Sequence, residues 1–123
     1  MRVPRLTSRA DFDRVRAGGQ AHSTPMFVAI AARSAGGPAK IGAAAGKRVG
    51  GAVQRNRAKR LLREGVRPIY PSIVPGWDIL FLARAPILDA KSTQVTPLIE
   101  QALRRLKLIA EAPINMTQDK AGQ

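Results

Sequence analysis

Two short runs of consecutive apolar residues stand out in an otherwise mixed chain. Residues 26–32 and 79–83 contain only apolar side chains. Both runs lie between turn-forming segments, which is typical of strands buried on both faces. A third strand is predicted over residues 40–46, although the alanines and glycines there are weak strand formers. Residues 22–25 are predicted to form a turn.

Apolar residues at helical spacing predict a helix near each end of the chain. The first helix is expected over about residues 9–17, with Ser8 as its N-cap and a Gly-Gly pair at its end. The last helix is expected over about residues 94–110, with Thr96 and Pro97 as its N-cap and first position.

The longest helical pattern, about residues 52–67, separates apolar from charged side chains. At 100° per residue, the two groups fall on opposite sides of the helix. The apolar side is formed by Ala58, Leu61, Leu62, Val66 and Ile69. The polar side is formed by Asn56, Lys59, Arg60, Arg63 and Arg67. One side is therefore expected to pack against the protein, and the other to carry a row of cations.

The positive charge is concentrated in one segment. The chain of 123 residues has 21 Lys and Arg against 8 Asp and Glu, a net charge of +13. Residues 40–67 alone contribute +8, because Glu64 is their one acidic residue. Such clustering favours a polyphosphate ligand, in practice a nucleic acid, over an acidic membrane surface. Residues 112–123 show no periodicity, so we expect one domain over residues 1–111 followed by a flexible tail.

Several classes of chemistry are not supported by the composition. The chain has no Cys and a single His, which excludes disulfides, thiol nucleophiles and zinc sites of the Cys type. The acidic residues are scattered, so we expect no catalytic or metal site made of protein side chains. The glycines at 42 and 46 lack the spacing and the hydroxyl of a P-loop. No apolar run approaches the length of a membrane span, and we expect a cytoplasmic protein.

Two phenylalanines have two possible roles. Phe12 lies on the first predicted helix and Phe27 on the first predicted strand. Aromatic side chains in such elements are more often core residues, but stacking on single-stranded RNA also requires rings beside a basic cleft. The sequence alone leaves both roles open.

The segment GKRVGGAVQRNRAKRLLRE, residues 46–64, resembles the signature of the bacterial ribonuclease P protein component. In that family a strand ends in a basic pair, and Gly and Ala-Val then lead into Arg-Asn-Arg-x-Lys-Arg-Leu-x-Arg. Further matches, among them Asp11-Phe12, Lys40-Ile41-Gly42 and Arg84-Ala85-Pro86, extend the likeness over about residues 6–107.

The resemblance implies an α+β fold of αβββαβα type, with a small mixed sheet and a left-handed βαβ crossover, an exception to the usual handedness. It also implies that an RNA subunit binds Mg²⁺ and removes the 5′ leader of precursor tRNA, while the protein supports that reaction. The expected partners are ribonuclease P RNA and precursor tRNA, with no membrane and no protein partner required.

The resemblance also assigns site residues. Contacts to RNA are expected from Lys47, Arg48, Arg55, Asn56, Arg57, Lys59, Arg60 and Arg63, and the cationic row adds Arg67. The leader is expected in a cleft between the first helix and the sheet, beside Phe12, Arg16 and Phe27. Arg16 and Ile30 stand where aromatic residues are common in the family, and Gly46 and Gly51 replace its usual Ser and Asn.

Two other functions are compatible with a basic helix. A structural RNA-binding protein of ribosomal type would stabilise RNA without stimulating tRNA maturation. A helix-turn-helix DNA-binding protein would need a second helix packed directly before the basic one. Residues 41–46 are predicted as a strand instead, which disfavours the DNA-binding alternative.

Overall fold

The computed structural model describes residues 2–109. Its elements follow in the order α1 (Arg9–Gly18), β1 (Gln20–Ser23), β2 (Phe27–Arg33), β3 (Lys40–Ala44), α2 (Ala52–Val66), β4 (Trp77–Ala83) and α3 (Ser92–Arg105). The predicted α+β class and the αβββαβα order are therefore confirmed. The expected tail over residues 112–123 lies outside the described residues.

The four strands form one mixed sheet in the order β1-β2-β4-β3. β2 pairs antiparallel with both β1 and β4. β3 pairs parallel with β4, with Ile41 opposite Ile79, and α2 connects these two strands. This βαβ unit is the one that the resemblance implies, and its left-handed crossover stays a prediction.

Strand β1 corrects the predicted turn at residues 22–25. Its burial pattern shows three exposed residues out of four, because β1 lies at the sheet edge and has a single partner strand. It therefore has neither the apolar run nor the alternation that indicates a strand in sequence. The chain turns just after it, where the N–H of Thr24 donates to the carbonyl of Phe27 at 2.8 Å.

The N-terminal segment runs beside the other edge of the sheet. The N–H of Ile41 donates to the carbonyl of Pro4 at 2.9 Å, and the N–H of Leu6 donates to the carbonyl of Ile41 at 3.0 Å. Arg5 thus forms a parallel bridge with Ile41. Residues 2–5, which we call the N-terminal arm, are held next to β3 by this bridge.

The two faces of the sheet pack against different helices. Alternate strand residues, among them Phe27, Ile41 and Phe81, join α2 and α3 in the larger core cluster. The residues between them, such as Ile30 and Leu80, form a smaller cluster with Leu6 and Val15 under α1. This division follows from the side-chain alternation of β-strands. A small cluster on the α1 side leaves room for a cleft there.

Helix α3 begins and ends earlier than predicted. It starts at Ser92, where Gln94 Oε1 accepts from the N–H of Lys91 at 2.8 Å, so Thr96 is not the N-cap. The Thr96 hydroxyl instead donates to the carbonyl of Gly65 in α2 at 2.7 Å. The helix ends at Arg105 because Lys107 adopts a left-handed conformation with φ 62°. Leu108 then donates its N–H to the carbonyl of Leu103 at 2.8 Å, a Schellman motif without glycine.

Candidate nucleic-acid interface

The exposed side of α2 presents a row of polar and cationic side chains. Asn56, Arg60 and Arg67 are exposed and Arg63 is half-buried. Their spacing of four, three and four residues places them on one side of the helix. The opposite side of α2 is anchored in the core by residues such as Leu62. A firmly packed helix therefore holds the row in a fixed arrangement.

No acidic side chain neutralises this row within residues 2–109. The ion pairs there join Arg14 to Asp11 and Asp78, and Arg104 to Glu100. The predicted cations of α2 take part in none of them. Their charge is consequently available to an external anion.

The remaining predicted contacts of α2 lie beside the row. Arg55 and Lys59 are half-buried, and Arg57 is exposed. Arg55 and Arg57 lie about 100° to either side of the row, as helical geometry requires. The interface is therefore broader than one helical stripe.

The connector before α2 adds two further cations. Lys47 and Arg48 are exposed in a turn that closes with the N–H of Gly50 donating to the carbonyl of Lys47 at 3.2 Å. Gly50 has φ +147°, a backbone conformation that glycine adopts readily and other residues rarely do. Among the residues that the structure describes, no side chain caps α2 at Gly51, and the first turn of the helix holds no acidic residue. Free N–H groups and two cations at one helix end favour phosphate.

A cleft of about 370 Å³ lies between α1 and the sheet. Its floor includes Leu80 and Leu82 of β4, and its α1 wall includes Phe12 and Arg16. Phe12 is partly exposed, and it lines the cleft together with the cationic side chain of Arg16. The structure therefore places Phe12 and Arg16 in the predicted cleft.

Gly42 of β3 allows Phe12 to approach the sheet. A Cβ atom at Gly42 would lie 2.7 Å from Cε1 of the Phe12 ring, closer than real Cβ contacts. The N-cap of α1 is Ser8, whose hydroxyl accepts from the N–H of Asp11 at 3.3 Å. The missing side chain at Gly42 thus lets the Phe12 ring pack directly against β3.

The prediction that Phe27 lines this cleft is wrong. Phe27 is fully buried on the opposite face of the sheet, where its ring meets Phe81 edge-on at 5.5 Å. Because residues 26–32 are apolar throughout, the sequence did not show which face each side chain occupies. Ile30, three residues later, lies on the α1 face instead.

The sequence analysis did not single out two features of this surface. Val53 is 79% exposed, and its spacing from Asn56 and Arg60 places it beside the row. Arg2 and Arg5 of the N-terminal arm line a second groove together with Arg63 and Arg67. The excess of arginine in the first residues was the available signal, but it gave no indication of where the arm lies.

The described part of the chain contains no group of three or more His, Cys, Asp or Glu side chains suited to a metal ion. Within the same residues no helix is long and apolar enough to cross a membrane. The basic helix follows a strand, β3, rather than another helix. That arrangement disfavours the helix-turn-helix alternative.

Comparison with known proteins gives a consistent result. The sequence model of the Ribonuclease P family matches residues 1–107. The ribonuclease P protein component of Roseiflexus sp. (strain RS-1) is 43% identical over 105 residues, covering 85% of this chain and 86% of that protein. The corresponding protein of Herpetosiphon aurantiacus is 36% identical over 121 residues, covering 98% of each.

Solved structures agree with the sequence relatives. The RNase P protein of Staphylococcus aureus has a TM-score of 0.75 and 27% identity, covering 89% of this chain and 100% of that one. The RNase P protein from Thermotoga maritima has a TM-score of 0.70 and 25% identity, covering 81% and 96%. The resemblance carried by residues 46–64 is confirmed, and this chain belongs to the ribonuclease P protein family.

Proposed function

We propose that this protein binds the RNA subunit of ribonuclease P through α2 and its connector, and holds the 5′ leader of precursor tRNA under α1. Membership of the family makes the chain a subunit of a ribonucleoprotein endoribonuclease that acts in tRNA processing. The observation that carries the finer assignment is the row of cations on α2, which is without acidic partners in residues 2–109.

Such a row is suited to RNA backbone rather than to base recognition. From Asn56 to Arg67 it spans twelve residues, about 16 Å along the helix axis. Arginine forks donate two parallel hydrogen bonds to a phosphate, and contacts of this kind fix position and orientation without reading sequence. An RNA subunit of defined shape is the expected ligand.

The cleft under α1 is suited to a single-stranded leader. Phe12 offers a ring face for one base, Leu80 and Leu82 provide an apolar floor, and Arg16 attracts the backbone. A base stacked on an aromatic ring contributes about 1–3 kcal/mol. With one ring in the cleft, binding of the leader relies on charge as well as on stacking.

The proposal assigns catalytic Mg²⁺ to the RNA subunit. The described protein residues contain no carboxylate cluster that fits the ion. The chemistry that Mg²⁺ would supply there is activation of the attacking water and stabilisation of the leaving oxygen. The protein contributes cations that reduce repulsion between the RNA subunit and its substrate, and it acts in the cytoplasm, where precursor tRNA is processed.

Processing of precursor tRNA at low Mg²⁺ tests the proposal directly. A bacterial ribonuclease P RNA is incubated with a 5′-labelled precursor at an Mg²⁺ concentration too low for the RNA alone. Added protein is expected to restore cleavage at the mature 5′ end, and heat-denatured protein is not. Tight binding of RNA without any stimulation would instead indicate a structural RNA-binding protein and contradict the proposal.

A further inference from the structure

A groove of about 610 Å³ separates the N-terminal arm from the last turns of α2. Four arginines line it, two from each side: Arg2 and Arg5 from the arm, and Arg63 and Arg67 from α2 and the residue after it. We call this feature the arginine groove. It lies at the end of the cationic row and shares Arg63 and Arg67 with it.

The arm is fixed in place by backbone hydrogen bonds. The bonds between Ile41 and both Pro4 and Leu6 measure 2.9 and 3.0 Å, and they hold Arg5 beside β3. Val3 and Pro4, both partly exposed, contribute apolar surface to the groove. Both walls of the groove are therefore held in place by the folded structure.

The charges of the arginine groove are not balanced by other side chains of residues 2–109. No acidic side chain lines it, and none of its arginines forms an ion pair within residues 2–109. Arg63 is half-buried, and its pKa is lowered by burial and then by the nearby charge of Arg5. Two like charges that converge at a partly desolvated site favour an anion between them.

We propose that the arginine groove holds a backbone phosphate of the ribonuclease P RNA between Arg5 and Arg63, so that the RNA interface extends from α2 onto the N-terminal arm. This inference rests on the proposed function. The shared arginines make the groove continuous with the α2 surface, which favours the RNA subunit over the leader as its occupant.

Binding of ribonuclease P RNA to Arg5→Gln, measured at several salt concentrations, tests this assignment. We expect affinity to fall about three- to tenfold, as loss of one solvent-exposed hydrogen-bonded contact predicts. The slope of log K against log[salt] should decrease by about 0.7 to 0.9, the value for one phosphate. The control is Arg105→Gln, which removes the same charge from an exposed position on α3 outside the groove.

Stability and charge-preserving variants separate binding from folding. Arg5→Gln should leave Tm unchanged or raise it, because repulsion of Arg63 is removed. Arg5→Lys should keep the salt slope while losing part of the affinity, since lysine lacks the guanidinium fork. The assignment would be overturned if Arg5→Gln lowered Tm and weakened binding, and if Arg5→Lys did not restore binding.

The double variant Arg5→Gln/Arg63→Gln tests whether both residues hold one phosphate. A shared phosphate predicts a combined loss smaller than the product of the single losses. Losses that multiply would contradict a shared phosphate.

If wild-type protein restores processing but Arg5→Gln behaves like Arg105→Gln, the arginine groove is excluded as an RNA-binding site while the proposed function stands. If wild-type protein neither binds nor stimulates the RNA, the proposed function itself fails.

Discussion

Arg14 of α1 forms an ion pair with Asp78 at the beginning of β4, 64 residues later in the chain. The Asp78 side chain is buried, and its Oδ1 atom has no hydrogen-bond partner within the described residues. Arg14 also donates to the carbonyl of Arg33 at 2.9 Å and to Asp11 at 3.2 Å. The hydrogen bond to Asp78, followed by that to Asp11, raises the pKa of the Arg14 guanidinium. Helix α1, which forms one wall of the cleft, is thus attached to the sheet through Arg14.

Replacing Arg14 should destabilise the protein. Arg14→Ala leaves the Asp78 carboxylate buried without a cation, and we expect unfolding free energy to fall by about 1–3 kcal/mol in urea titrations. The control, Arg104→Ala, breaks the exposed pair with Glu100 at 2.7 Å. Exposed pairs contribute roughly 0–1 kcal/mol. Equal effects of the two substitutions would show that Asp78 does not depend on Arg14.

Phe12→Leu should weaken binding of the leader without affecting the fold. The substitution keeps an apolar side chain but removes the ring face, so affinity for precursor tRNA with a long leader should fall by about 1 kcal/mol. Affinity for mature tRNA and Tm should change little. In the matched substitution Phe27→Leu, the edge-on contact with Phe81 is lost and Tm should fall. Leader binding reduced only by Phe27→Leu would contradict the cleft described above.

Gly42→Ala should change the shape of the cleft by displacing the Phe12 ring from β3. The added Cβ would lie 2.7 Å from the Phe12 ring and 3.3 Å from Leu6 Cβ, so the ring and α1 must move outward. Overpacking of this kind costs about 1–3 kcal/mol, and leader affinity should fall with stability. A Cβ at Gly46 meets nothing within 4 Å, so Gly46→Ala should leave Tm nearly unchanged. A stable Gly42→Ala protein with normal leader affinity would show that Phe12 is not held by this contact.

The α2 row should bind RNA mainly through counterion release. Arg60→Ala should reduce the slope of log K against log[salt] by about 0.7 for single-stranded RNA and leave Tm unchanged, because its side chain is exposed. Glu64→Gln should raise the affinity for RNA, since it removes the one acidic side chain of residues 40–67. An unchanged slope in Arg60→Ala would remove that residue from the interface.

The isolated protein should leave precursor tRNA intact at every Mg²⁺ concentration. Residues 2–109 offer no cluster of carboxylates or histidines that fits the ion. Gel analysis of a 5′-labelled precursor, with the RNA-protein complex as the positive control, checks this expectation. Cleavage at the mature 5′ end by repurified protein alone would contradict it.

The basic helix was predictable from sequence because its two sides differ so strongly. Residues 52–67 were expected and Ala52–Val66 is observed, since Leu62 and its apolar neighbours recur at helical spacing. The end of α3 was not predictable in the same way, because Lys107 occupies a left-handed position that glycine usually marks.

Residues of the candidate site were predictable only where the residue type indicates whether the side chain is exposed or buried. A charged side chain such as Arg60 is expected at the surface, whereas Phe27 is equally compatible with either face of an apolar strand. The role of Arg5 depends on the bridge to Ile41, a contact between distant residues that leaves no local pattern. The sequence therefore identified the α2 surface but not the groove beside it.

The separation of the sheet into two faces has a consequence for how this protein can change over evolution. Phe27 and Ala29 of β2 belong to the core under α2 and α3, whereas Val28 and Ile30 face α1. Substitutions at the second pair change the packing under α1 while the larger core keeps its contacts. Neighbouring positions of one strand can thus vary independently of each other, because each belongs to a different layer of the molecule.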